Sequence, residues 1–468
     1  MSSTTPAPQS RRPARLLPGP ARPPADHPPK DGRRTAFHAL IHRAALAAGA
    51  AVVLLGPVVA VAGGATGAAA STTVRGAQVS AHTGAATSNR ADTAPGSTAA
   101  GRSAGSHSWK MVGSANPTGA SSSVLDGVAC SSSTKCEAVG YSESGSGSSV
   151  TLAERWNGTK WALQATPNPA GAIASTLKAV ACSSATHCEA VGSYNNSADV
   201  LVTLAEVWNG TQWAVQTTPN PADATNVTLN AVACPTSTRA CEAVGSYINS
   251  SGVTVTLAER WNGTKWALQT TPNPAGATDS ELYAVACPSA TGCEAVGWSA
   301  NSSDVVTLAE RWNGTKWALQ TTPNPAGSTA SELYAAACSS ATSCEAAGLY
   351  YNSSGNGVAL AERWNGTKWA LQTTPPTGPT NGPSGVACPT STPNCEAVGS
   401  ADNSSNVAVT LAEQWNGTKW ALQATPNPAG AASSVLLAVA CLSVTNCEAV
   451  GEYFNSSGVM VTLAERWS

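Results

Sequence analysis

Glu, Arg and Trp stand side by side at Glu154–Trp156, Glu259–Trp261, Glu310–Trp312, Glu362–Trp364 and Glu465–Trp467. Val207 and Gln414 take the arginine's place in two further copies. A carboxylate can move protons, a guanidinium can hold an anion, and an indole can stack on a sugar or a cation. A second glutamate recurs with equal regularity, at Glu137, Glu189, Glu242, Glu294, Glu345, Glu396 and Glu448. A catalytic carboxylate need occur only once, whereas these occur seven times each. The repeated acids therefore read as hydrogen-bonding or ion-pairing groups that stabilise a repeating scaffold. The paired tryptophans (Trp156 and Trp161, Trp261 and Trp266, Trp415 and Trp420) read as packing between neighbouring units, with a sugar-stacking platform as the alternative.

Fourteen cysteines, all after residue 129, form the next set. They fall in pairs with five or six residues between partners: Cys130 and Cys136, Cys182 and Cys188, Cys234 and Cys241, Cys287 and Cys293, Cys338 and Cys344, Cys388 and Cys395, Cys441 and Cys447. Zinc would need four converging ligands, and His187 is the only histidine after residue 107. No metal or other cofactor is expected. In an oxidising compartment the pairs are seven local disulfides, each worth ~2.4 kcal/mol in the chain-entropy model.

The N-terminal region argues for that compartment. Residues 1–43 form a basic, Pro-rich segment expected to be disordered, with Arg33, Arg34 and Arg43 nearest to its C-terminal end. Residues 44–70 carry no charge, and Leu46, Val52, Val53, Leu54, Leu55, Val58 and Val59 fill their middle. A basic flank before an uncharged apolar run is an export signal. It serves either as a cleaved signal peptide, with Ala60–Ala62 or Ala68–Ala70 as small-residue cleavage sites, or as a retained membrane anchor. Both outcomes place the rest outside the cytoplasm, secreted or on the outer face of the cytoplasmic membrane. Residues 71–105, rich in Ser, Thr, Ala and Gly, read as a flexible linker. Charged residues make up 11% and the net charge is −2, so nucleic acid is not a partner and a membrane is met only through the N-terminal anchor.

Residues 106–468 hold the elements that position these side chains. First cysteines recur every 50–53 residues, seven times. Each unit contains four short extended runs, as in Leu282–Cys287, Cys293–Gly297, Val305–Trp312 and Lys316–Gln320, with Asn313-Gly314 read as a tight two-residue hairpin in which both residues take positive φ. No run shows helical periodicity. Four antiparallel strands per unit of this length is the content of one propeller blade. The chain ends on a third strand (Leu463–Ser468), while His107–Val112 resembles a fourth strand without a third. Trp109 precedes Cys130 by 21 residues, as Trp266 precedes Cys287. The expected fold is all-β: a seven-bladed β-propeller, its ring closed by an N-terminal strand completing the last blade.

The Trp-Asn-Gly-x-x-Trp hairpin resembles the Asp-box turn of sialidase-like propellers, in its position and its Gly263-to-Trp266 spacing. Trp261 stands where the Asp would be, and no isolated arginine cluster is present to bind a carboxylate, so no sialidase activity is implied. Residues 106–468 are similar to a family of uncharacterised secreted repeat proteins from high-GC bacteria, through the Ala-Cys…Cys-x-Ala-Val-Gly and Trp-Asn-Gly-x-x-Trp signatures. That resemblance implies the fold and no activity.

Recognition is expected on the face carrying the second-to-third loops and the crossovers between units, where the copies differ. Tyr141, Tyr194, Tyr247, Trp298, Tyr350, Tyr351, Tyr453 and Phe454 are placed just after the second strand, with Asp199, Asp223, Asp279, Asp304 and Glu452 in the same loops. The leading reading is a non-catalytic extracytoplasmic binding module whose partner is a protein or a cell-surface glycan. A multivalent lectin is the alternative, since some propeller lectins hold sugars between blades with Trp, Arg and Glu. A glycan-cleaving enzyme built on the non-repeated acids comes third.

Overall fold

The computed structural model describes residues 107–145, 147–236, 240–378, 382–390 and 392–468. The segments assigned as basic tail (1–43), signal or anchor (44–70) and linker (71–105) lie outside them. Among the described residues there are 28 strands and no helix.

The strands fall into antiparallel fours. In one unit Asp279–Ser289, Gly292–Ala300, Val305–Trp312 and Trp317–Gln320 pair in chain order. In the unit made of Ser433–Ser443, Asn446–Phe454 and Met460–Trp467, the fourth place is taken by Trp109–Met111, with Trp109 opposite Trp467. One-residue parallel bridges, Val305 to Ala330 and Ser122 to Met460, tie two pairs of neighbouring units into larger sheets. All seven cysteine pairs form disulfides within their own units, across the first and second strands.

Alternation in the strands explains how the units stack. One face of a unit, such as Leu282, Val285, Cys293, Leu308, Trp312 and Trp317, packs on Val244 and Ala258 from the opposite face of the unit before. The pattern repeats through seven clusters. In one of them Leu125, Val128, Leu152, Trp156 and Trp161 receive Val450 and Ala464, so the last unit packs on the first.

Two local devices depart from simple strand alternation. Every first strand carries a β-bulge after its buried leucine, or after Pro383 in one unit. The bulge drives a backbone carbonyl toward the second strand, which explains the glycine closing each Cys-Glu-Ala-Val-Gly run (Cys-Glu-Ala-Ala-Gly at 344–348). A Cβ on Gly297 would sit 1.9 Å from the Glu281 carbonyl oxygen. Gly297→Ala is expected to cost about 3 kcal/mol, the upper end for overpacking, because backbone cannot step aside; urea unfolding would measure it.

The Asn-Gly hairpin differs from the two-residue turn expected of it. Trp156 and Trp161 are directly paired, leaving a four-residue loop. Only Gly158 takes positive φ, at 97°. Asn157 instead folds its side chain back, Oδ1 accepting from the Thr159 and Lys160 amides at 2.9 and 3.0 Å.

Candidate functional site

The bulge has a second effect: it turns one residue per unit away from the strand's regular alternation. These residues are Asp126, Lys178, Asn230, Tyr283, Tyr334, Ser384 and Leu437. The leucine before each of six is fully buried, yet all seven bulged residues are part-exposed. Each first strand lies against the first strand of the next unit, and Ser433–Ser443 lies against Ala120–Ser132. The seven side chains are therefore neighbours. They differ at every unit but two, within a repeat whose flanking positions hardly change.

Polar contacts connect them. The Lys178 ammonium donates to Asn230 Oδ1 at 2.8 Å, and Asn230 Nδ2 donates to Glu281 Oε1 and to the Leu282 carbonyl, both at 2.9 Å. Trp298 Nε1 donates to the Tyr283 hydroxyl at 2.9 Å, and the Tyr283 and Tyr334 rings lie 5.7 Å apart. On the other side of Lys178 stands Asp126, whose carboxyl is raised to about 7 by burial and by Glu452, with Lys178 opposing. Burial also raises Glu452 to about 7. Tyr141 is pushed up by burial and then by Asp126, Glu452 and Glu143. Burial lowers Lys178, against the pull of Glu281 and Asp126. Glu332 is raised to about 7 by burial, its bond with Tyr334 opposing. The result is a belt with an acidic end (Asp126, Glu452), a cation (Lys178) and an aromatic end (Tyr283, Trp298, Tyr334). Such a belt can hold a cation, orient hydroxyl groups and exchange protons near neutrality.

Of the eight aromatic residues expected on the variable loops, all lie on the second strands themselves, which run past the glycine to pair with the third. Tyr194, Tyr247, Tyr350 and Tyr453 pack against the hydrophobic clusters between units. Tyr141, Trp298 and Tyr351 adjoin the belt: Trp298 through its bond to Tyr283, the others through the carboxylates that act on them. Phe454 sits half-buried at a strand end. Asp279 and Glu452 are strand residues, Glu452 only 5% exposed, whereas Asp199, Asp223 and Asp304 lie in loops. Sequence reasoning does not single out Asp126, Lys178, Asn230, Glu281, Tyr283, Glu332 or Tyr334. For the bulged residues the signal is present as a changeable column between Leu (Pro383 in one unit) and Ala or Gly.

The repeated Glu-Arg-Trp groups do something else. The arginines pair with second-strand glutamates, Arg155 with Glu137 at 3.3 Å and Arg466 with Glu448 at 2.5 Å, and Arg260, Arg311 and Arg363 with Glu242, Glu294 and Glu345. Each guanidinium also lies 4.9–5.7 Å from the centre of a tryptophan ring in the next unit, including Arg466 over Trp156. In five units the third-strand indole face that could stack on a sugar is covered by arginine. Leu268, on the edge strand beside Trp266, is 42% exposed.

Gln414 replaces the arginine in one unit, and a recess remains there, lined by Glu396, Gln414, Ser443 and Val444 among others. Gln414→Arg should pair with Glu396 and lie over Trp467, the ring equivalent to those stacked elsewhere. A gain of about 1 kcal/mol is expected in thermal unfolding, with Arg311→Gln losing as much. No gain would mean this junction departs from the other five.

Among the described residues no cluster of three or more metal-ligating side chains occurs, and no helix is long and apolar enough to cross a membrane. The sequence matches no protein-family model and no curated protein. Similar solved structures include a Dyadobacter fermentans protein of unknown function, 7% identical with a TM-score of 0.44, over 77% of this chain and 98% of that one. The SapL1 lectin in complex with alpha methyl fucoside is 14% identical with a TM-score of 0.37, over 65% and 97%. A Trypanosoma rangeli sialidase in complex with sialic acid is 10% identical with a TM-score of 0.41, over 73% and 53%.

Proposed function

We propose that the chain is a non-catalytic extracytoplasmic binding module, built on a closed seven-bladed β-propeller, that takes its ligand at the axis from the variable-loop face. Closure is supported by three contacts between the last unit and the start of the described chain. Trp109–Met111 completes the sheet of Met460–Trp467, Val450 and Ala464 pack into the first unit's core, and Arg466 covers Trp156. Seven disulfides support an oxidising location. The export segment at 44–70, cleaved or retained as an anchor, and the linker at 71–105 complete the proposed organisation.

The observation that carries the binding reading is the convergence of seven bulged, part-exposed residues that differ between otherwise uniform units. A scaffold alone has no use for Asp, Lys, Asn and Tyr at equivalent places, and a site for one asymmetric ligand does. The partner is a glycan or a protein outside the cell. A multivalent lectin using the inter-unit tryptophans is less supported, because arginine already occupies five of those faces.

A cell-wall and cell-surface glycan screen with the purified chain, followed by stoichiometry, tests this. One site per chain, lost in a Lys178→Ala, Tyr283→Ala variant, is the expected result. Several equivalent sites that survive that variant would replace it with the lectin reading. Shortened glycan products after incubation would establish an enzyme instead.

A further inference from the structure

Resting on that axial reading, we infer that Asp126 and Glu452 form a subsite for a primary ammonium group, and that the ligand is of the amino-sugar class. Both acids occur once in the repeat: other units carry Lys178, Asn230, Tyr283, Tyr334, Ser384 or Leu437 where Asp126 stands. Ser193, Ser246, Trp298, Leu349, Ser400 or Tyr141 take the place of Glu452. The strand Asn446–Phe454, carrying Glu452, packs on Ala120–Ser132, carrying Asp126. Glu452 is 5% exposed, and its Oε2 has no hydrogen-bond partner. A buried acceptor left without a donor is costly, and a ligand N–H would remove that cost.

Charge selects the donor. The groups acting with the pair are Tyr141 and Lys178, and Lys178 is shared with Asn230 and Glu281. Acids outnumber the single cation, so a second cation is wanted at the acidic end. An ammonium supplies three donors in compact form, and the Tyr141 hydroxyl, which interacts with both acids, can accept one of them. The hydroxyls of an amino sugar would meet the Lys178, Asn230 and Glu281 groups, and its apolar ring face the Tyr283 and Tyr334 side. Because burial holds both carboxyls near 7, an arriving ammonium ionises them and protons leave as it binds.

Calorimetric titration of the full chain with glucosamine, glucose and N-acetylglucosamine, in two buffers of different ionisation enthalpy, tests the inference. Glucosamine is expected to bind roughly tenfold or more tightly than either neutral sugar, the ratio of one charge-assisted pair, with proton release at pH 7. Asp126→Asn and Glu452→Gln keep the side-chain shape. Each should cost roughly tenfold in glucosamine affinity and reduce the protons released, with the near-UV circular dichroism unchanged. Equal binding of the three sugars, no binding of glucosamine, or full affinity in Glu452→Gln overturns the inference. A neutral glycan that binds once per chain and needs Lys178 and Tyr283 would overturn it while leaving the axial binding module standing.

Discussion

Deleting residues 107–116 is expected to lower the melting temperature by roughly 10 °C or more, the largest effect any short segment should have. Trp109 is 4% exposed, donates its indole N–H to Gln423 Oε1 at 2.6 Å, and lies 5.9 Å from the Trp467 ring. Truncating such a side chain alone costs about 3–5 kcal/mol. The same segment supplies Asn116 Oδ1, which accepts the Thr462 amide at 3.1 Å, and the Ala115 amide, which donates to Glu154 Oε2 at 2.9 Å. Its loss leaves Met460–Trp467 as an open edge and Glu154 without its backbone donor. Scanning calorimetry checks the result, with Trp109→Ala as a milder companion. A truncated chain that melts like its parent would show that this strand does not hold the proposed ring together.

Alkalinity is expected to weaken the fold by a comparable amount. Glu206, Glu259, Glu310, Glu362 and Glu465 on the third strands are fully buried, and burial raises each from 4.5 to about 8. The opposing influence on four of them is a threonine hydroxyl of the preceding unit, such as Thr203 for Glu259, and not a cation. A carboxyl whose folded value lies above its unfolded value binds more protons folded than unfolded. Its stabilisation is fully present below about 4.5 and is lost as pH rises toward about 8. The melting temperature should therefore fall between pH 5 and pH 8 and level off above that, by about 10 °C for several such groups together. Glu259→Gln should flatten part of that slope and change little at pH 5. A melting temperature that rises over the same interval would mean these acids are ionised in the folded chain.

The repeat, its four-strand content and the cysteine pairing partners are legible because each depends on residues within one period. Cys287 and Cys293 are close along the chain, and Trp312 must meet Trp317 once Asn313 turns the backbone. Even there the chemistry of the turn differs from expectation, since the Asn side chain caps it and one positive φ suffices. The aromatic residues expected in loops lie on strands, because the glycine taken as the end of the second strand accommodates the bulge opposite and does not stop the strand. The belt stays hidden for the same reason: alternation sends Asp126 and Lys178 to a packed face, and a bulge breaks alternation without marking the sequence strongly.

Local interactions thus determined, from the sequence alone, that this is an all-β repeat protein of four-stranded units with cysteines paired inside each. Which faces meet was decided only by tertiary structure. Arg155 reaches Trp208 and Lys178 reaches Asn230 across 53 and 52 residues, and Arg466 reaches Trp156 across most of the chain. Such contacts follow from how twisted sheets stack and not from any spacing along the chain. The same stacking brings the bulged residues of the first strands beside one another, where the proposed axial site lies.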